Sequence, residues 1–164
     1  MRRVVSNTGP LLHLSEASNL DVLSRMGEVH IPRGVEREIA YHISTWSTPA
    51  WITVDALDEP HATDSVAWQQ AGLLQTGEAE AIALARQLQV DWLLTDDAAA
   101  RLVAKKLGLE VHGSLGVVIW AVATGHLNHS EAKSALERLA RSSLWISARV
   151  LAEARLALER LFQE

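Results

Sequence analysis

The stretch VDWLLTDDAAARLVAKKL, residues 90–107, gives the clearest indication of the fold. Its apolar run predicts a buried strand over 90–94, and a helical pattern over 98–107 follows almost at once. A buried strand that leads straight into a helix is typical of a parallel sheet covered by helices. Asp96 and Asp97 would then stand at the carboxyl end of the strand, where open α/β sheets bind their ligands.

The rest of the chain repeats this alternation of strand and helix. The predicted strands cover residues 3–6, 28–31, 51–54, 90–94 and 109–111. The predicted helices cover residues 10–17, 19–26, 32–40, 63–73, 77–89, 98–107, 114–124, 130–142 and 147–162, with Ser130 and Ser147 as caps of the last two. We therefore expect an α/β fold with a short parallel sheet of four to five strands and helices on both faces. We expect a single domain over 1–164, with the C-terminal helices of 114–164 appended to the α/β core.

Composition excludes several classes of protein. The chain has 164 residues, of which 48% are hydrophobic, enough for one sizeable core. It has no run of eighteen apolar residues, so we expect no membrane span, and its start leads into a strand rather than a signal peptide. Cysteine is absent, which excludes disulfides and thiolate–zinc sites and favours the cytoplasm as compartment.

The charge balance restricts the partners. The formal net charge is −5, whereas proteins that grip long duplexes are usually basic. Short or single-stranded nucleic acids remain as substrates, because a cluster of metal-binding acids itself adds negative charge.

Oxygen-bearing side chains recur near the predicted strand ends. The first strand ends at Asn7 and Thr8, Glu38 lies in a short amphipathic helix, and Glu78 lies in the first turn of another helix. Together with Asp97 these groups would converge at one edge of the sheet. Converging carboxylates are typical of sites for hard cations or for acid–base chemistry.

Each of these acids also has an ordinary structural interpretation. Asp97 would cap the helix that begins at Ala98, since an aspartate at a helix start accepts free N–H groups. Asp96 would have a supporting role and orient the attacking water, or else cap the same helix. The helix dipole alone favours Glu78 in a first turn, and Glu38 would be an exposed helix acid.

Two threonines and one arginine are candidates for supporting roles. The hydroxyls of Thr8 and Thr95 would hold carboxylates or an attacking water, or else serve as turn residues. Arg101 lies one helical turn beyond Asp97 and would contact a phosphate, or else belong to a solvated face.

The histidines and tryptophans give weaker signals. The seven histidines show no metal-ligand spacing, and we expect most of them to be exposed or to cap helices. Trp92 and Trp120 lie in apolar runs typical of a core. One of Trp46, Trp51 and Trp68 could stack a base, but packing is the favoured role for each.

Taken in order, these segments resemble the PIN-domain nucleases. The opening VVSNTGPLL of residues 4–12 resembles their first strand, and GEAEAIALA of residues 77–85 resembles the stretch with their third acid. Glu38 resembles the second acid, and Asp97 in Thr-Asp-Asp resembles the last. The segment LGLEVHGSLG of residues 107–116 is similar to a PIN-like branch known mainly as a domain of unknown function. The resemblance covers nearly the whole chain.

The resemblance implies a three-layer PIN-like fold and a metal-dependent endoribonuclease that hydrolyses single-stranded RNA. It implies that Glu38, Glu78 and Asp97 are the catalytic acids and that they hold Mg²⁺ or Mn²⁺ together with Asn7. It also implies a toxin that pairs with an antitoxin protein. A mean hydropathy of +0.05 and the commonly paired state of PIN-like proteins predict a homodimer through residues 10–26 and the C-terminal helices.

One position departs from the family pattern. The first acid of the family is aspartate, and this chain has Asn7, which offers a carbonyl oxygen but no negative charge. The alternative function is therefore a catalytically weakened PIN-like module that binds nucleic acid or protein. A phosphotransfer enzyme with Asp97 as nucleophile is disfavoured, because no phosphate-binding glycine loop accompanies it.

Overall fold

Five parallel strands form one sheet in the computed structural model, which describes residues 1–163. The strands are β1 (Arg3–Ser6), β2 (Glu28–Pro32), β3 (Ile52–Asp55), β4 (Trp92–Leu94) and β5 (Val111–His112). Their order across the sheet is β3-β2-β1-β4-β5, and every neighbouring pair is parallel. The predicted α/β class and the parallel sheet are confirmed.

Helices cover both faces of this sheet. They are α1 (Thr8–Glu16), α2 (Arg33–His42), α3 (His61–Gln70), α4 (Thr76–Gln87), α5 (Ala98–Lys106), α6 (Ser114–Ala123), α7 (His129–Ala140) and α8 (Ala148–Gln163). The successive residues Val4 and Val5 of β1 point to opposite faces, and both are 0% exposed. Continuous burial of this kind is expected where a parallel sheet is sandwiched between helical layers.

The strand order creates a switch point between β1 and β4. The chain proceeds from β1 to β2 on one side, whereas β4 pairs with β1 on the other side. The backbone N–H of Asn7 donates to Leu94 O at 2.8 Å, so the two carboxyl ends are joined directly. Open α/β sheets bind ligands in the crevice at such a point.

Two local predictions were wrong. The segment 19–26 is not an α-helix but contains a 3₁₀ helix at Leu20–Arg25. Ser130 is not the cap of α7, because Asn128 takes that place in a capping box. Its side chain accepts from Glu131 N at 2.9 Å, and Glu131 accepts from Asn128 N at 3.0 Å.

The last helix has one buried and one exposed apolar side. Leu158 of α8 is 1% exposed, whereas Leu156 and Phe162 are exposed.

No helix within residues 1–163 combines the length and apolar character that crossing a membrane requires.

Candidate active site

A cavity of about 440 Å³ opens at the carboxyl edge of the sheet, beside the switch point. Most of the residues predicted for the site line it, and they come from four different parts of the chain. The lining consists of Asn7, Thr8, Gly9, Leu12, His13, Glu38, His42, Glu78, Asp96, Asp97, Ser143, Leu144 and Trp145. This described lining holds four carboxylates and neither lysine nor arginine.

Glu38 reaches this cavity from α2 and is held by two donors. Thr8 Oγ1 donates to its Oε2 at 2.7 Å, and the backbone N–H of Gly77 donates to its Oε1 at 3.0 Å. A Cβ at Gly77 would lie 2.5 Å from both carboxylate oxygens, so glycine is needed for this approach. The sequence Gly77-Glu78 thus brings two acids together, since the glycine admits Glu38 at the helix N-terminus that carries Glu78.

Glu78 is the acid with the most perturbed protonation equilibrium. Burial raises its pKa above the usual 4.5, and the negative charges of Asp97 and Glu38 raise it further. A hydrogen bond from Gln75 N, at 3.4 Å, opposes the shift only in part. The three predicted catalytic acids therefore interact electrostatically, although they come from α2, α4 and the end of β4.

Asp97 begins α5 and Thr95 lies beneath it. Asp97 Oδ1 accepts from Ala100 N at 3.2 Å, so the residue is the helix cap as well as part of the cavity lining. Thr95 is 1% exposed, and its Oγ1 accepts from Asn7 Nδ2 at 3.1 Å and from Asp97 N at 3.3 Å. Its hydroxyl thus joins the ends of β1 and β4 rather than holding a carboxylate.

Asn7 is almost buried and uses both ends of its amide. Its Oδ1 accepts from Thr8 N at 2.9 Å, which caps α1, and its Nδ2 donates to Thr95. To bind a metal ion, Asn7 would have to donate the second lone pair of its Oδ1, because the first accepts from Thr8 N.

The donor set fits a hard divalent cation, although it is not a closed cage. Within residues 1–163 no three acid or histidine side chains stand close enough to form a ready coordination group. Mg²⁺ is commonly held by one or two carboxylates with several retained waters, so a cavity of spaced carboxylates meets its needs. The mutual repulsion that raises the pKa of Glu78 is what a cation in this cavity would relieve.

Comparison with protein families identifies the architecture. A family model described as a PIN domain matches residues 3–160, nearly the whole chain. The chain belongs to the PIN domain family. PIN domains have a nuclease-type fold, bind nucleic acids and generally use divalent metal ions. Comparisons with curated proteins and with solved structures found no match.

Asp96 of this PIN domain has a structural role that the sequence did not predict. Of its two predicted roles, the cap of the helix beginning at Ala98 is wrong, because Asp97 occupies that position, and the orientation of a water stays a prediction. Asp96 accepts from Ser114 N at 2.7 Å and from Ser114 Oγ at 2.5 Å, and its Oδ2 lies 2.7 Å from His13 Nδ1. Burial raises its pKa, but the hydrogen bonds with His13 and Ser114 outweigh burial and lower the pKa below 3.8. Asp96 therefore ties β4 to α1 and α6.

Arg101 lies beside the acidic cavity rather than in its lining. Its Nη1 donates to Thr95 O at 3.2 Å, and its side chain lines a second, neighbouring cavity. The predicted phosphate contact of Arg101 would therefore occur outside the cavity of the three acids.

Sequence reasoning missed several residues of the lining, among them His13 and Trp145. His13 lies one helical turn after Gly9 on α1, and this spacing places both on one face of the helix. That spacing was the available signal for His13. Trp145 lies in the segment between α7 and α8, where no local pattern predicts its position.

Proposed function

We propose that this PIN domain is a metal-dependent endoribonuclease that hydrolyses phosphodiester bonds of single-stranded RNA. Glu38, Glu78 and Asp97 would be the catalytic acids and would hold Mg²⁺ or Mn²⁺, with Asn7 as a neutral ligand. The observation that carries the proposal is the convergence of three carboxylates on one cavity without lysine or arginine in its described lining. A phosphodiester entering this cavity would be repelled unless a cation compensated the charge.

The protein's contribution to the chemistry is the orientation of the carboxylates. Thr8 and the Gly77 backbone fix Glu38, and the first turn of α5 fixes Asp97. When bound, Mg²⁺ or Mn²⁺ supplies charge neutralisation at the phosphate and lowers the pKa of a coordinated water. Because burial and the charges of Asp97 and Glu38 raise the pKa of Glu78, a cation held among these acids would favour the ionised form of Glu78.

The charge of the protein supports a single-stranded substrate. The net charge of −5 argues against long backbone contacts, which require many lysines and arginines. A single strand can present one phosphate at a time to an acidic cavity, whereas a duplex presents two backbones to it. The supporting argument from the family is coarser, since PIN domains bind nucleic acids in general.

The test is cleavage of end-labelled single-stranded RNA with Mg²⁺, with Mn²⁺ and with chelator. We expect cleavage only with metal, and a loss of about 10²–10⁴-fold in the Glu78→Gln and Asp97→Asn variants. Glu80→Gln is the matched control, because Glu80 lies two residues from Glu78 but faces Arg37 at 3.7 Å and does not line the cavity. Full cleavage in chelator, or in either site variant, would contradict the proposal.

The second candidate function is a catalytically weakened PIN domain that binds nucleic acid or protein without cutting it. The observation that favours it is the engagement of Asn7, whose amide is used by Thr8 and Thr95 and which brings no charge. RNA binding without cleavage in the unmodified protein, and cleavage after Asn7→Asp, would support this candidate over the first.

The proposal extends to the oligomeric state of the protein. We propose a homodimer through residues 10–26 and the C-terminal helices, in which the exposed Leu156 and Phe162 of α8 contribute apolar surface. Light scattering that gives a monomer mass at high micromolar concentration would contradict it.

A toxin role requires an antitoxin partner, which a neighbouring gene for a small protein would supply. A cytoplasmic location remains a prediction from the absence of cysteine.

A further inference from the structure

A second cavity of about 330 Å³ adjoins the acidic one. The two cavities share Asp96, Leu144 and Trp145 in their linings. The second cavity is otherwise formed largely by apolar side chains, among them Val111 and Leu115, with Arg101 beside them. The acidic cavity thus continues directly into a largely apolar one whose lining includes the guanidinium of Arg101.

Trp145 stands at the boundary between these cavities and is 84% exposed. Its neighbours Leu144 and Ile146 pack against the core, so the chain alternates inward and outward at this point. The segment is also held by hydrogen bonds, since Ser143 Oγ donates to Glu16 Oε1 at 2.5 Å. An anchored segment therefore presents a large aromatic ring to solvent between two cavities.

We propose that Trp145 stacks on a nucleobase of single-stranded RNA and that the second cavity receives this base, next to the phosphate held in the acidic cavity. The inference rests on the proposed ribonuclease function and adds a contact with the nucleobase, which carboxylates cannot stack on. Aromatic side chains stack on bases of any sequence, and a base is planar and largely apolar on its faces. The apolar lining of the second cavity suits those faces.

Arg101 supplies the positive charge that the acidic cavity lacks. One of its five N–H donors goes to Thr95 O, which orients the guanidinium at the wall of the second cavity. A strand that leaves the acidic cavity over Trp145 brings its next phosphate towards this guanidinium. Continuity between the two cavities distinguishes this surface from scattered exposed apolar residues, which are common on proteins.

The test compares two ligands of equal length, a short oligouridylate and an abasic ribose–phosphate chain. Binding is measured by fluorescence anisotropy in Ca²⁺, another cation with oxygen ligands, and RNA integrity is checked on a gel. We expect Trp145→Ala to weaken oligouridylate binding about tenfold or more and to leave binding of the abasic chain unchanged. Trp145→Phe should retain most of the affinity, because the ring is kept.

Tyr41→Ala is the matched control, since Tyr41 is an aromatic residue that is 86% exposed and lines neither cavity. It should bind both ligands as the unmodified protein does. Unchanged oligouridylate binding in Trp145→Ala, or an equal loss for both ligands, would overturn the stacking proposal and would leave a protein partner as the reason for the exposed ring. Absence of oligouridylate binding by the unmodified protein would overturn it too.

The two proposals fail in different ways. If the ribonuclease proposal fails, RNA stays intact with Mg²⁺ and Mn²⁺ while base-dependent binding through Trp145 persists. If the stacking proposal fails, cleavage still depends on Glu78 and Asp97, but Trp145→Ala binds oligouridylate as tightly as the unmodified protein.

Discussion

Two groups of acidic side chains border the same cavity and differ in how their charge is compensated. Asp96 is surrounded by donors from His13 and Ser114, and its pKa is lowered. Glu78 faces Asp97 and Glu38, and its pKa is raised. Asp96 stabilises the junction of three elements, whereas the other three acids carry negative charges that no lysine or arginine of the described lining compensates. Uncompensated carboxylates in a cleft are typical of functional sites, which often reduce stability.

The largest effect on stability is expected at Asp96, the acid that is surrounded by donors. Asp96→Ala should lower the free energy of unfolding by about 3 kcal/mol, because it leaves the nearly buried Ser114 and His13 groups without their shared partner. The measurement is urea unfolding of the metal-free protein.

Asp91→Ala is the control for that measurement. Asp91 accepts one backbone N–H, from Arg3 at 2.8 Å, in an exposed position just before β4. Its removal should cost about 1 kcal/mol or less. Equal losses in the two variants would mean that the Asp96 cluster does not hold the elements together.

The next largest effect is expected on metal affinity, when a negative charge is added beside Glu38, Glu78 and Asp97. Asn7→Asp should raise Mn²⁺ affinity about tenfold in calorimetric titration, because ligand charge helps to set affinity for hard cations. Asp at this position can still accept from Thr8 N, and the Thr95 hydroxyl can turn to donate to it. Without metal the same variant should be less stable, since a fifth carboxylate would then join the four of the described lining.

Asn128→Asp provides the matched control for that substitution. Asn128 also caps a helix through its side chain, but it lies at α7, outside the cavity. It should leave Mn²⁺ affinity unchanged. If Asn7→Asp also leaves the affinity unchanged, Asn7 does not lie close to the bound ion.

The smallest expected effect is a change in the pH dependence of stability. Because the pKa of Glu78 is raised in the folded state, the folded protein binds more protons than the unfolded chain between 4.5 and the raised value. Stability should therefore fall as pH rises through that window. Glu78→Gln should remove this part of the dependence and make the metal-free protein more stable at neutral pH.

Urea unfolding at about pH 4 and about pH 7 tests this prediction. Glu80→Gln should keep the pH dependence of the unmodified protein, because Glu80 pairs with Arg37 instead of facing the other acids. A gain in stability at about pH 7 that is the same in both variants would show that the repulsion at Glu78 is not its source.

Local pattern was sufficient for the sheet. The run 90–94 is mostly apolar and ends at a polar residue, so a buried strand and its carboxyl end were predictable without knowledge of neighbours, although β4 begins only at Trp92. Bounds were also inaccurate at the edge, where β5 contains only Val111–His112 instead of the predicted 109–111. An edge strand is paired on one side only, so its length depends on the partner strand.

The sequence by itself determined the order of strands and helices, the membership in the PIN family and the position of Asn7 and Asp97 at two strand ends. Only the tertiary structure decided which of two adjacent aspartates keeps uncompensated charge. Asp96 and Asp97 are alike in type and neighbourhood along the chain, but the donors that compensate Asp96 come from α1 and α6, far away in sequence. Trp145 depends on tertiary contacts in the same way, because its exposure follows from the packing of Leu144 and Ile146 on a distant core. Such contacts arise between segments that local periodicity cannot relate.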